Sequence, residues 1–464
     1  MERRVPAVFS PAAAVIFVLI AGLICALLEG ARVTEMKQLA PYRVKLLGQN
    51  IFSNYQAELY EKYGLLGLDE EYSQMGQGES VGNRLVSEEF SLEKESASKE
   101  PGISFLNYSQ MELTDEQVQL LSDYDGQVFL KQAAKCMLPV LPEGKEKEVE
   151  RTLSDFEDFQ RENDTEAHVG DAQEALDTAT SMQEVEEDEE PSQICVGEIE
   201  EYSRRKSQPI LSLLHLPKEP SSKTLLPQYC PSERRLLRGS TAGEGVTIPE
   251  LVLANLYCVK NFRNYQSADD KGEVFQYQTE YLIAGRKSDA ENLEVVARRI
   301  LLIREAVQFA RMLKDPVKME KAEGIALAAV GFTCNPVLIK AVQLGIIAAW
   351  SFEEALNDVR KLLAGEKLSI FSKEENGLWG YEEYLQFLLF MTGHDVWGRR
   401  ALDILEHEVN TSLKVGSFHV DRTITGIKGK VQAEIPWVFA NVLSLSKYQK
   451  TGLSTQVIWE ENYN

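Results

Sequence analysis

Residues 12–28 read AAAVIFVLIAGLICALL, a run of 17 residues without a charged side chain. Arg3 and Arg4 precede it. A helix of this length is at the short end of what spans a membrane, and the residues before Pro11 can extend it. Positive charge before the span favours a cytoplasmic N-terminus. We therefore expect a short cytoplasmic segment (1–11), a transmembrane anchor (12–28) and a large domain outside the cell membrane.

A cleaved secretory signal peptide is the alternative interpretation of this run. Signal peptidase requires small residues at positions −3 and −1 of the cleavage site. The residues that leave the run, Leu27-Leu28-Glu29-Gly30-Ala31-Arg32, contain no good site of this kind. The sequence therefore favours an uncleaved signal anchor in a single-pass protein.

Glu29 is the singular charge of this region, because it stands at the end of the apolar run and three residues before Arg32. Residues three apart share one face of a helix, so an exposed ion pair within the helix is one interpretation. The other is that Glu29 pairs with a different membrane helix, since a carboxylate at an apolar boundary is costly without a partner. Glu29 and Arg32 are thus the candidates for pairing between membrane helices.

The length of 464 residues indicates two or three folding units. The chain has 49 Lys and Arg against 72 Asp and Glu, a net charge of −23. This balance argues against nucleic acid as a partner, because phosphate backbones require a basic surface. Six cysteines occur without a Cys-x-x-Cys motif, so the sequence predicts neither a zinc site nor a disulfide framework.

Five segments follow the cytoplasmic N-terminus in the predicted organisation. After the anchor we expect a helical stalk (29–72), a region of loop and helix (73–142), an acidic and proline-rich linker (143–247), and a helix-rich C-terminal domain with terminal β-strands (248–464). The linker prediction rests on charge: residues 143–192 hold 19 acidic and four basic side chains. Such a block is usually solvated and poorly ordered.

The C-terminal domain has the sharpest local signals. Capping-box patterns at Ser288 and Ser351 predict two helix starts, and the apolar stretch 325–350 is interpreted as two buried helices around a turn rather than a second span. Near the C-terminus, alternation over 431–435 predicts a strand, with 423–430 as its hairpin partner. The predicted fold class is α+β and predominantly α-helical, with a transmembrane helix continuing into a stalk and a small C-terminal β-hairpin or sheet.

A search for catalytic chemistry finds no signature. The chain has no P-loop and no G-x-G-x-x-G, its match to G-x-S-x-G at 78–82 lies in a stretch that we predict to be loop, and no two of its five histidines are three or four residues apart. Glu406-His407-Glu408 places carboxylates beside a histidine, and we interpret it as part of a surface helix. The sequence therefore nominates no catalytic, cofactor-binding or metal residue, and it predicts no enzyme and no cofactor.

Several segments together resemble a known family. They are the anchor exit at 26–32, Tyr55-Gln56-Ala57-Glu58-Leu59-Tyr60-Glu61-Lys62-Tyr63-Gly64-Leu65, Glu280-Tyr281-Leu282-Ile283-Ala284-Gly285, and the stretches 349–355 and 358–365. The chain is similar to membrane-anchored proteins of unknown function from Firmicutes, which have a pseudopilin-like N-terminus and are associated with Tad-type pilus loci.

The resemblance implies a non-enzymatic, extracytoplasmic protein that is an accessory or minor component of a Tad-type pilus or secretion assembly. Its expected partners are the membrane and other subunits of such an assembly. The alternative is an extracytoplasmic hydrolase of the cell envelope, tethered by the same uncleaved anchor.

Overall fold

The computed structural model describes most of the chain. The described residues are 11–68, 81–98, 107–138, 164–182, 195–241, 243, 245–268, 275–369, 378–411, 418–439 and 452–463. They divide into two compact units. We call them the sheet unit (1–124, 236–244 and 417–464) and the helical unit (125–235 and 245–416).

The described helices are α1 (Pro11–Phe52), α2 (Ala57–Tyr63), α3 (Val81–Ser98), α4 (Asp123–Met137), α5 (Thr165–Ser181), α6 (Gly197–Lys206), α7 (Ile210–Leu214), α8 (Ile248–Asn261), α9 (Gln278–Ala284), α10 (Asp289–Leu313), α11 (Pro316–Val330), α12 (Pro336–Leu363), α13 (Tyr381–Met391) and α14 (His394–Thr411). The strands are β1 (Gln110–Leu120), β2 (Leu368–Ser369), β3 (Leu378–Trp379), β4 (Ile424–Ile435) and β5 (Leu453–Asn462). This composition confirms the predicted class, α+β and mainly helical, with a long apolar N-terminal helix.

Helix α1 has 42 residues and is therefore about 63 Å long. Its first half is apolar and exposed, whereas its second half is amphipathic. The side chains that it buries are spaced by three or four residues, as on one face of a helix; they are Met36, Ala40, Val44, Leu47 and Ile51. The helix ends at Phe52, where the chain turns, and Tyr55 forms an isolated bridge with Leu68.

The buried face of α1 packs against an antiparallel sheet with the strand order β1-β4-β5. Val431 on the central strand pairs with Leu113 on one side and Val457 on the other. The predicted hairpin of 423–430 with 431–435 is wrong, because these residues form the single strand β4. Its partners come from the middle and the end of the chain, which local patterns cannot show.

Residues 73–142 differ in detail from their prediction. The described part of the predicted loop contains helix α3, and β1 occupies positions where we expected loop and then helix. The stretch Gln110-Met111-Glu112-Leu113 alternates as a strand should, but a register shift between Thr114 and Gln117 interrupts the alternation.

The sheet unit also corrects the predicted domain boundaries. Strands β4 and β5 form one hydrophobic core with α1, so the C-terminal strands belong with the N-terminal helix. Residues 248–464 are therefore not a single domain. The helix-rich part of that prediction corresponds to the helical unit, which ends at residue 416.

The helical unit contains helices from the range that we predicted to be a linker, 143–247. Helix α5 packs against α12, and an ideal Cβ at Gly345 would lie 2.3 Å from the Ala172 Cβ. Ile199 and Tyr202 of α6 are also buried. The linker prediction is wrong for these helices, because their small and apolar side chains fill the core despite the high net charge. The acidic run 184–190 lies outside the described residues.

Helix α12 runs through Ser351, where the sequence predicts a new helix. The Ser351 Oγ donates to the Ala348 carbonyl, so the hydroxyl is satisfied inside the helix instead of capping one. The capping prediction at Ser288 is confirmed, because the Glu291 backbone N–H donates a hydrogen bond to the Ser288 Oγ. Residues 325–350 form two helices around a turn, as predicted.

Two described helices are long and apolar enough to cross a membrane. The window in α1 has a mean hydropathy of 2.5 and is 6% buried, whereas the window in α12 has a mean hydropathy of 1.3 and is 50% buried. Half-burial inside the protein is what a core helix shows. Helix α1 is compatible with a single-pass anchor.

Candidate functional site

The apolar half of α1 presents large side chains to its surroundings. Phe17 is 70% exposed, Leu23 is 62% exposed and Leu27 is 65% exposed. Leaving this much apolar surface in water is unfavourable at roughly 25 cal/mol for each Å². The surface therefore needs an apolar environment, which a lipid bilayer or other apolar helices supply.

At the end of this half, Glu29 and Arg32 form an ion pair one helical turn apart. The Arg32 Nη2 lies 2.5 Å from the Glu29 Oε1, and the Arg32 Nε donates to the same oxygen at 3.1 Å. The two side chains are 4% and 5% exposed. The interpretation as an exposed pair is therefore wrong in one respect, since protein atoms cover the pair.

The cover comes from the segment that follows β4. The second carboxylate oxygen of Glu29, Oε2, accepts from the backbone N–H of Phe439 at 2.6 Å and of Val438 at 3.2 Å. The Arg32 guanidinium donates to the Pro436 carbonyl. We call this arrangement the anchor latch: Glu29, Arg32 and the backbone of 436–439. It joins the exit of the apolar helix to the end of the central strand.

The anchor latch brings together both site residues predicted from the sequence. The segment 436–439 was not predicted from the sequence. It contributes backbone groups, and backbone groups have no sequence signal. Both oxygens of Glu29 have partners within the chain. Pairing between Glu29 and another membrane helix stays a prediction.

Further buried polar groups lie in the helical unit around α9. The Glu280 Oε1 accepts from the Tyr265 backbone N–H and from the Tyr381 hydroxyl, both at 2.7 Å. The Asp289 carboxylate accepts from the Gln276 and Tyr277 backbone N–H groups. Burial raises the pKa of Glu280 to about 7, and the charge of Asp289 contributes. These bonds fix the start of α10 and the loop before α9.

The sequence Glu406-His407-Glu408 is buried, so its interpretation as a surface helix is wrong. Glu406 accepts two bonds from the Arg234 guanidinium, and Glu408 accepts two from that of Arg263. Burial lowers the pKa of His407. The carboxylates lie inside because each has a fork of two N–H donors, and this partner is distant in sequence.

A family model described as "Family of unknown function (DUF5702)" matches residues 185–376 and 372–435. Together the matched ranges cover more than half of the chain. The chain belongs to the DUF5702 family. No curated protein and no solved structure is detectably similar to it.

The DUF5702 match begins at residue 185, so it includes helices α6 and α7. The matched ranges contain the buried groups around α9 and all of β4. The anchor latch (Glu29, Arg32 and 436–439) lies outside both matched ranges.

Proposed function

We propose that this DUF5702 protein is a single-pass, membrane-anchored extracytoplasmic subunit of a pilus-like or secretion assembly of the Tad type. Its anchor inserts in the membrane and packs against apolar helices of other subunits. The sheet and helical units face the outside and contact partner subunits there.

One observation carries this proposal: α1 is a single helix that is apolar and exposed at one end and packed on a sheet at the other. A simple tether needs no rigid connection to the domain that it holds. A continuous helix fixes the direction of the apolar half relative to the sheet, and the anchor latch strengthens this connection. A fixed direction is useful where several anchors must pack side by side.

The anchor has a face suited to close helix packing. Gly22, Ala26 and Gly30 are spaced by four residues, and an added Cβ at Gly30 would meet nothing within 4 Å. Small residues at this spacing allow two membrane helices to approach closely. This face supports packing with another helix rather than lipid contact alone.

The first test concerns topology. A tag at the C-terminus should be removed by protease added to intact protoplasts, while a cytoplasmic control protein survives. Survival of both the tag and the control protein would contradict the orientation.

The second test concerns assembly. Gly22→Leu widens the small-residue face, whereas Ile24→Leu changes the opposite side of the helix and conserves its apolar volume. We expect Gly22→Leu to reduce crosslinking between the anchor and other membrane proteins at equal membrane levels, and Ile24→Leu to leave it unchanged. Equal crosslinking in both variants would contradict helix packing through this face.

A further inference from the structure

A cleft in the helical unit is lined by an unusual set of charges. It has a volume of about 230 Å³, and its walls include the cations Arg286, Lys287, Arg399 and Arg400, with Glu233 as the one carboxylate in the lining. The whole chain has a net charge of −23. The excess of positive charge around this cleft therefore contrasts with the net negative charge of the whole chain.

Two of these cations already have partners. The Lys287 Nζ lies 3.1 Å from Glu233, and the Arg399 Nε donates to the Asp395 carbonyl. The other two, Arg286 and Arg400, contact no carboxylate among the described residues.

Arg400 is held firmly in place. Its Nη1 donates to the carbonyls of Leu282 and Ile283, at 2.8 and 3.0 Å, at the end of α9. Gly285 lies directly against the guanidinium, because an ideal Cβ there would be 2.4 Å from the Arg400 Cζ. The remaining N–H groups of Arg400 keep their capacity to donate to a ligand.

Burial and neighbouring charges act on the guanidinium of Arg400. Burial lowers the pKa of the Arg400 guanidinium, and the positive charges of Arg299 and Arg286 lower it further. The nearby Asp403 raises the pKa of Arg400, but its carboxylate is occupied by Ser232 and by the Tyr281 hydroxyl. Mutual repulsion of this kind is relieved when an anion binds.

We propose that Arg286 and Arg400, in the cleft that they line, form a binding site for a phosphate group, either free or as a phosphate ester. Planar guanidinium forks match the oxygens of phosphate, and a dianion compensates several cations at once. The apolar side chains of Leu225 and Val396 in the same cleft suit the carbon part of an ester.

The test uses the full chain in detergent micelles and measures thermal unfolding with inorganic phosphate, glycerol 3-phosphate or acetate at matched ionic strength. A ligand that binds only the folded protein raises its melting temperature. We expect phosphate to raise it and acetate to have little effect. Tighter binding of glycerol 3-phosphate than of inorganic phosphate would identify an ester as the occupant. A shift with acetate equal to that with phosphate would overturn the proposal.

Variants separate this site from general charge effects. Arg286→Gln and Arg400→Gln should each weaken phosphate binding about tenfold, as for a lost bond between charged groups. Arg298→Gln is the control, because Arg298 is paired with Glu294 and does not line the cleft, and it should retain the wild-type affinity. Melting temperatures without ligand show whether each variant is folded. Unchanged phosphate affinity in both folded test variants would overturn the proposal.

Discussion

Glu29 and Arg32, one helical turn apart on α1, form a buried ion pair whose closest atoms are 2.5 Å apart. The pair lies at the end of the exposed apolar run, and backbone N–H groups from beyond β4 complete the coordination of the carboxylate. A buried pair differs from an exposed one in an important respect. Removing one partner leaves an uncompensated charge that is shielded from water.

Glu29→Gln should therefore destabilise the sheet unit by about 3 kcal/mol, the typical effect of breaking a buried pair. Glutamine retains the shape, but it removes the charge that Arg32 and two N–H groups contact. The measurement is chemical denaturation in micelles, followed by the fluorescence of Trp459, which is buried in the core of this unit.

Glu35→Gln is the matched control, since Glu35 lies on the same helix and is exposed. We expect it to change the unfolding free energy by less than about 0.5 kcal/mol. If Glu29→Gln leaves stability unchanged but reduces crosslinking to other membrane proteins, the pairing of Glu29 with a partner helix would be favoured over the anchor latch.

The close approach of α5 and α12 gives a second prediction. Gly345→Ala should destabilise the helical unit by about 1–3 kcal/mol, because the new methyl group would overlap the rigid Ala172 Cβ and force the helices apart. Gly324→Ala, in α11, meets nothing within 4 Å. It should stabilise the protein by about 0.5–1 kcal/mol through helix propensity. Urea denaturation measures the change in unfolding free energy for each variant. A decrease for Gly345→Ala and an increase for Gly324→Ala would verify both expectations. Changes of the same sign would contradict the α5–α12 contact.

The long apolar N-terminal helix and the fold class could be predicted because they depend on local composition and periodicity. Helix α5 could not, because half of the residues that it buries are alanines: Ala172, Ala175 and Ala179 line its inner face. Alanine gives a weak hydrophobic signal, and the acidic residues on the outer face dominated the pattern. Burial of small residues against Gly345 is a property of the pair of helices, which neither segment shows alone.

The candidate sites divide in the same way. Glu29 and Arg32 were predictable, since a charge at the end of an apolar run is unusual in itself. The covering segment 436–439 and the arginine cleft were not, because they join residues that are distant in sequence. The strand pairing in the sheet could not be predicted for the same reason. Strand β4 lies between β1 and β5, and its pairing with β1 joins Leu113 to Val431, which are distant in sequence.

A third prediction concerns the acidic region. Deleting 143–192 should lower the melting temperature substantially, because the deletion removes Leu176 and the other buried side chains of α5. Deleting only 183–192 removes the run of acidic residues and retains α5, so we expect little change. Differential scanning calorimetry of both variants distinguishes them. An unchanged melting temperature for the longer deletion would show that α5 contributes little to the core.

The last prediction concerns pH. Glu280 is fully buried, and burial raises its pKa to about 7 from an ordinary value near 4.5. The folded state therefore holds a proton between these two pH values that the unfolded state has released. The stability that protonated Glu280 contributes to the folded state is complete below pH 4.5 and is lost as the pH rises through 7. A shift of this size corresponds to about 3 kcal/mol at most.

Glu280→Gln removes the ionisation and retains an oxygen that can accept from Tyr265 and Tyr381. The unfolding free energy of the wild type should therefore fall more steeply between pH 5 and pH 8 than that of the variant. The contributions of other buried acids, such as Asp289 and Asp403, to the pH dependence cancel when the two slopes are compared, since both proteins contain them. Denaturation in urea at several pH values gives both slopes. Parallel slopes would mean that Glu280 ionises in the folded protein as readily as in the unfolded chain, and that water reaches it.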